Sequence, residues 1–173
     1  MTVSPRRLGR LAVGLLAALA APVAAQDAPP AKLDAGVDAY VFGYPLVTME
    51  YTRRVMTNVA EPKGSHAPMG QFVRMRTYPD AAFKDITAPN ADTLYSTAWL
   101  DLTAEPYVLS LPDMDNRYFL MPMLGGWTDV FEVPGKRTTG TKAQTYAITG
   151  PNWKGTLPDG VKELKAPTNL VWI

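Results

Sequence analysis

The second half of this chain is punctuated, and that constrains its fold more than any other feature. From Pro89 onward, short runs rich in aromatic and β-branched residues alternate with Gly-, Pro-, Asn- and Asp-containing turns at spacings near ten residues. Pro89-Asn90 opens a turn in which Asp92 and Thr93 offer side-chain oxygens to nearby amides. Residues 94–102 then read as a first strand. The runs at 107–111, 117–124, 127–133 and 144–149 follow, with Pro112-Asp113, Asp115-Asn116, Gly125-Gly126, Pro134-Gly135 and Gly150-Pro151-Asn152 between and after them. This rhythm predicts a mainly β domain, an immunoglobulin-like or jelly-roll-like β-sandwich over residues 61–173. Pro122 inside its run predicts an edge position or a bulge. Strict alternation in the 127–133 run puts Trp127, Phe131 and Val133 on one inward face and carries Asp129 with them.

The chain before Pro89 differs. Arg6, Arg7 and Arg10 precede an uninterrupted apolar run of 11 residues, Leu11 to Ala21, and small residues Val23 and Ala25 follow. This is the tripartite pattern of a signal peptide over residues 1–25, with cleavage expected after Ala25. The run is short of the about 20 residues that span a bilayer. The expectation is an exported protein, periplasmic or secreted, with no membrane span once the signal is removed. Ordinary secretion is favoured over the twin-arginine route, because the residues after Arg6-Arg7 are not those of that signal.

Removing the signal changes the charge. The formal net charge of +1 includes Arg6, Arg7 and Arg10, so the mature chain carries −2 and has no basic field to attract nucleic acid. With no cysteine, a thiol nucleophile, a thiolate metal site and an iron–sulfur cluster are excluded, and with His66 as the sole histidine a two- or three-histidine zinc site cannot be built. No cofactor and no metal are predicted, although carboxylates and carbonyls leave a hard-cation site open.

Residues 26–60 read as a spacer followed by a helical segment. Val37, Tyr40, Val41, Tyr44, Val47, Thr48, Tyr51 and Val55 recur at spacings of three and four, the stripe of an amphipathic helix. Pro45, with Gly43 before it, predicts two short helices near 32–43 and 45–57, or one kinked helix. Tyr40, Tyr44 and Tyr51 on one side are expected to face the core. Residues 61–69 read as a loop, residues 71–76 as a short extended piece, and residues 80–83 as a helical turn or two. The final run, Asn169-Leu170-Val171-Trp172-Ile173, is apolar and has no partner strand after it. An unpaired run of this kind is an aggregation edge, so the β domain is expected to be C-terminally incomplete.

Laid out this way, the chain resembles the DUF1254 family from about Ala39 to Ile173. The matching pieces are Tyr40-Val41-Phe42-Gly43-Tyr44-Pro45, Pro89-Asn90-Ala91-Asp92-Thr93-Leu94-Tyr95-Ser96, Trp99-Leu100-Asp101-Leu102, Glu105-Pro106, Leu111-Pro112, Arg117-Tyr118-Phe119, Asp129, Gly150-Pro151-Asn152-Trp153-Lys154-Gly155 and the terminal run. No single piece is specific; their order and spacing together are. The resemblance implies a helical part leading into a β-sandwich, followed in full-length relatives by a second all-β domain (DUF1214) that this chain lacks. No activity is established for the family, so no catalytic residue is implied.

Two sets of polar residues stand out. Asn90, Asp92, Tyr95, Arg117 and Trp153 form the expected ligand surface, suited to a polar or sugar-like ligand. As turn formers Asn90 and Asp92 have an architectural role to weigh against that one, and Arg117 has one as a partner for Asp101, Asp115 or Asp129. Trp127 is expected in the core and Trp153 exposed. Asp101 and Asp129 are the candidate catalytic pair, since two carboxylates at the right separation hydrolyse a glycosidic bond. Ser96 with His66 and an aspartate lacks a nucleophile elbow, and neither glycine-rich phosphate-loop pattern occurs. The leading expectation is a binding or structural role in the cell envelope. The alternative is a hydrolase of an extracellular or envelope polymer.

Overall fold

A computed structural model describes residues 30–86 and 88–173. The signal and most of the spacer lie outside the described residues. A single helix, α1 (Pro30–Thr57), replaces the two short helices that Pro45 suggested. Pro30 opens it in the first helical position, where a missing N–H costs nothing. Pro45 inside it removes the donor that would have met the Val41 carbonyl. Arg54 in the last turn complements the helix dipole.

Nine strands follow: β1 (Val73–Arg74), β2 (Ser96–Thr97), β3 (Trp99–Asp101), β4 (Tyr107–Leu111), β5 (Met123–Gly125), β6 (Val130–Glu132), β7 (Gln144–Thr149), β8 (Lys162–Lys165) and β9 (Leu170–Trp172). They make three sheets: a β1-β2 ribbon, a four-stranded sheet in the order β3-β9-β5-β6, and a three-stranded sheet β4-β7-β8. All pairings are antiparallel except β7 with β8. The domain is therefore mainly β and preceded by one helix.

Alternation along the four-stranded sheet explains its two faces. Trp99 is in register with Trp172, and Trp172 with Leu124. This row packs with Met49 and Met56 of α1. One residue along, Leu100, Val171 and Gly125 form the next row. Leu100 and Val171 point the opposite way, into a core shared with Leu109, Leu111, Tyr146, Ile148 and Leu164 of the three-stranded sheet. Helix and second sheet thus lie on opposite faces of the four-stranded sheet.

Several sequence expectations are corrected. The 94–102 run is not one strand: Ala98 separates β2 from β3, which join different sheets. The 117–124 run supplies only β5. Its start is a tight turn, with Asp115 and Asn116 at φ 50 and 58 and the Arg117 amide bonded to the Met114 carbonyl. Asp and Asn tolerate this left-handed region. The 80–83 segment is one hydrogen-bonded turn.

The apolar run at Leu170–Trp172 is a central strand, paired on both sides, and the Ala98 and Ile173 backbones exchange two further bonds. The run therefore presents no unpaired strand edge of its own. Most consequential, Tyr40, Tyr44 and Tyr51 do not face the core; each is more than half exposed. The side chains of α1 that the domain buries are Met49 and Met56 instead, with Leu46 near Gly126, while Phe42, itself 71% exposed, has its ring 5.0 Å from that of Trp127.

Candidate functional site

The turn that opens the β region closes on itself. The Asn90 amide donates to the Tyr95 hydroxyl at 2.8 Å, and the Thr93 hydroxyl donates to Asp92. Tyr95 is half-buried; Asn90 and Asp92 are exposed. Arg117 pairs with none of Asp101, Asp115 or Asp129. Its Nε donates to the Met114 carbonyl at 2.8 Å, and the ion pairs among the described residues lie elsewhere. Trp153 is half-buried, folded over Gly155 so closely that a Cβ there would sit 2.3 Å from the indole. The structure joins Asn90 to Tyr95; no hydrogen bond among the described residues links them to Arg117, Asp101 or Trp153.

The two candidate carboxylates fall at opposite edges of one sheet. Asp101 ends β3. Asp129 precedes β6, its carbonyl accepting the Gly125 amide at 2.8 Å. Between Leu100, the neighbour of Asp101, and Asp129 lie Val171 and Gly125 in register. Three strand spacings put the two backbones about 14 Å apart, and the Asp129 carboxylate folds over Gly125 on the Leu100 face of the sheet, whereas alternation turns Asp101 to the other face, so the two do not flank one bond.

Asp101 accepts from the Thr103 hydroxyl and amide. Those bonds, and then the charge of Arg53, hold its carboxyl below the usual carboxylate range, the wrong direction for a general acid. Asp129 is exposed rather than inward-facing. The alternation expected for 127–133 breaks because Gly126-Trp127-Thr128 is a three-residue hairpin loop, with the Thr128 amide bonded to the Gly125 carbonyl and Thr128 at φ 67. Trp127 sits exposed at its tip.

A cluster that chain spacing did not reveal lies in an open cleft of about 640 Å³ beside the C-terminal end of α1. Lys63 and His66 exchange both backbone bonds across Gly64-Ser65. Gly64, at φ 62, takes the first central position of a two-residue hairpin turn that calls for glycine. Ser65 is buried at 7% exposure. Its hydroxyl donates to Asp85 and lies 3.1 Å from His66 Nδ1.

One hydroxyl has one proton. A carboxylate only accepts, so the proton goes to Asp85, and the His66 ring must donate from Nδ1 to Ser65 Oγ. The relay runs His to Ser to Asp. Nucleophile activation needs the hydroxyl proton on the imidazole, so this cluster anchors the loop rather than arming the serine. Ser65 and Asp85 are 20 residues apart, a separation no motif signals; the loop over residues 61–69 was the legible part.

Glu50 of α1 carries the largest electrostatic perturbation. Arg53 and Arg54 both bond its carboxylate, at 2.6–2.7 Å, and lower its pKa to about 2. Among the described residues no group of three or more acidic or histidine side chains is placed to hold a metal ion, and no helix is long and apolar enough to cross a membrane.

Comparison with known proteins agrees with this architecture. The chain is similar to the VPA0106 protein from Vibrio parahaemolyticus, whose crystal structure superposes with a TM-score of 0.62 at 28% identity. The match covers 81% of this chain and 31% of that one, so this chain corresponds to under a third of that protein's length. No curated protein matches. A family model described as a protein of unknown function (DUF1254) matches residues 69–173. The chain therefore belongs to the DUF1254 family.

Proposed function

We propose that this chain is an exported, non-catalytic module with a binding or structural role in the cell envelope, built on an immunoglobulin-like or jelly-roll-like sandwich. The sandwich reading is supported by the single core that the two larger sheets share. Export is supported by the tripartite pattern of residues 1–25. Relatives that continue into a second all-β domain would place such a module in a larger assembly.

The observation that carries the binding role is the outward stripe of α1, a row of large apolar side chains each more than half exposed. Contiguous exposed apolar surface of this kind marks interaction sites. The Asn90–Tyr95 turn and Trp153 supply separate polar and aromatic contacts for a ligand. The hydrolase alternative is disfavoured by the placement of the two carboxylates and by the depressed Asp101.

The test is an assay for release of reducing ends from envelope and extracellular polymers, with Asp101→Asn and Asp129→Asn beside the parent. The expected result is no turnover above buffer in any of the three. Turnover by the parent that either variant abolishes would overturn the non-catalytic reading. Fractionation of cells carrying the intact gene tests export: the chain is expected in the envelope fraction, beginning at Gln26.

A further inference from the structure

Two connections cross between the larger sheets, residues 112–122 from β4 to β5 and residues 133–143 from β6 to β7. They are cross-linked along their length. The Met114 amide donates to the Thr141 carbonyl at 2.8 Å, and the Lys136 amide to the Phe119 carbonyl at 3.1 Å. Lys136 Nζ donates to the Asn116 carbonyl at 2.7 Å, and Lys142 pairs with Asp113 at 3.0 Å. The Arg137 guanidinium lies 5.4 Å from the centre of the Tyr118 ring. With Arg117, four exposed cations gather along residues 113–118.

Charge is segregated there. Residues 26–173 carry −2, yet these four cations stand with only two carboxylates, Asp113 and Asp115, so the patch is +2 and the remainder −4. Even fully extended, residues 113–118 would reach no more than about 18 Å, and the left-handed turn at Asp115-Asn116 shortens that. Like charges so close repel one another, and an anion laid across them removes that cost. Each cation is also positioned in advance. Arg117 uses only Nε, on the Met114 carbonyl, and keeps both Nη groups; Lys136 and Lys142 each use one of three N–H donors.

From this arrangement we propose that the patch binds an acidic glycan, a sugar chain carrying carboxylate or sulfate groups. The inference rests on the reading of the chain as a binding module and names its ligand class. A guanidinium bonds an oxyanion through two parallel N–H groups. Tyr118, 58% exposed, sets an apolar ring with a polar tip beside those groups, which suits the mixed surface of a sugar. A peptide strand fits less well, because the backbone is not on offer: the amides of Met114, Arg117, Lys136, Thr138, Thr139 and Gly140 all donate to carbonyls of these two connections. An anionic bilayer meets a whole side of the domain at once and is repelled by the negative surroundings. A single sugar chain can follow the cations.

The experiment is isothermal titration of the full gene product, purified as the cell processes it, at about 50 and about 150 mM salt. Heparin is the sulfated probe, polygalacturonate the carboxylated one, and dextran the neutral control. The parent is expected to bind an acidic glycan, more weakly at the higher salt, and to ignore dextran; the preferred probe assigns the acidic group. Arg117→Gln with Arg137→Gln is expected to weaken binding about tenfold or more. Lys154→Gln with Lys165→Gln removes the same charge outside the patch and is expected to change it less than about twofold. Tyr118→Ala, which leaves the charge alone, is expected to weaken it about fivefold. All three variants should keep the parent's near-ultraviolet spectrum and urea midpoint. Polyglutamate and a thymidine oligonucleotide, the competing polyanions, are expected to bind at least about tenfold more weakly.

A parent that binds neither acidic glycan overturns the proposal. So do equal losses in the two double variants, an unaffected Tyr118→Ala, or a competing polyanion held as tightly as the glycan. None of these results touches the non-catalytic reading, which the reducing-end assay decides by itself; turnover there overturns that reading even where the glycan binds.

Discussion

Trp99 and Trp172 stack at 4.8 Å and 8° on the face of the sheet that receives α1, yet their indole N–H groups have opposite fates. Trp172 Nε1 donates to the Thr97 hydroxyl at 2.7 Å. Trp99 is 2% exposed, and among the described residues its Nε1 has no hydrogen-bond partner. Replacing each by Phe keeps an aromatic ring and removes the donor.

The smaller ring loses on the order of 40 Å² of buried apolar surface in either case, about 1 kcal/mol. At Trp99 this loss is offset by release of a buried unsatisfied donor, whose burial costs about 1–3 kcal/mol. Trp99→Phe should therefore range from neutral to about 2 kcal/mol more stable than the parent. At Trp172 the loss adds to that of a hydrogen bond worth about 1 kcal/mol, so Trp172→Phe should cost about 2–3 kcal/mol. Urea unfolding resolves the gap, because at about 2 kcal/mol/M it separates the two midpoints by roughly 1 M or more. If Trp99→Phe costs as much as Trp172→Phe, the Trp99 N–H is not unsatisfied and the reasoning fails.

Other consequences are equally direct. Thr128 is β-branched and sits at φ 67, a conformation costing an L-residue about 1–2 kcal/mol. Thr128→Gly should raise stability by about 0.5–1 kcal/mol after the glycine's larger unfolded-state entropy is deducted, seen as a Tm higher by a few degrees. Ser65→Ala removes the acceptor that holds His66 in its Nδ1–H form, so ¹⁵N spectra should move toward the Nε2–H tautomer and the urea midpoint should fall; an unmoved tautomer would sink the relay order. Glu50 titrates near 4.5 when unfolded and about 2 when folded, so its stabilisation is complete above pH 4.5 and lost as the pH falls through about 2. Glu50→Gln should flatten the midpoint-against-pH curve in that window and leave its shape above pH 5 unchanged.

The β character of residues 94–173 was legible because turn chemistry is local: Pro112-Asp113, Gly125-Gly126 and Gly150-Pro151 each mark a boundary that the chain observes. The 107–111 and 144–149 runs became β4 and β7 without change. What failed was what tertiary contacts decide. Lys162–Lys165 is too polar to read as a strand, and it forms because β7 offers it a parallel edge and Leu164 fills the core. Asp129 looked inward because alternation was extended through a hairpin loop. On α1, two apolar stripes coexist, and periodicity alone cannot say which meets the domain. The Trp99–Trp172–Leu124 platform chose the one bearing Met49 and Met56. Of the expected site, only the Asn90–Tyr95 contact was local enough to read; the Ser65–Asp85 bond joins residues 20 apart.

The sheet order β3-β9-β5-β6 ties Trp99–Asp101 to Leu170–Trp172, about 70 residues on. β9 lies between strands whose sequence neighbours were made far earlier, so the four-stranded sheet cannot close until Leu170–Trp172 arrives. The three-stranded sheet needs nothing beyond Lys165. Loop closure over so long a separation is repaid only by the contacts made at the end, and Val171, fully buried, is the centre of them.

Trp172 arrives with β9 and completes the platform on which Met49 and Met56 rest. The face on which the helix rests is therefore incomplete without the last strand. With that strand in place one apolar side of the helix is covered and the other, through Leu33, Tyr40, Tyr44 and Tyr51, is held outward on a fixed base. A helix with apolar side chains on two sides becomes an oriented surface because the far end of the chain completes the platform that fixes which side it shows.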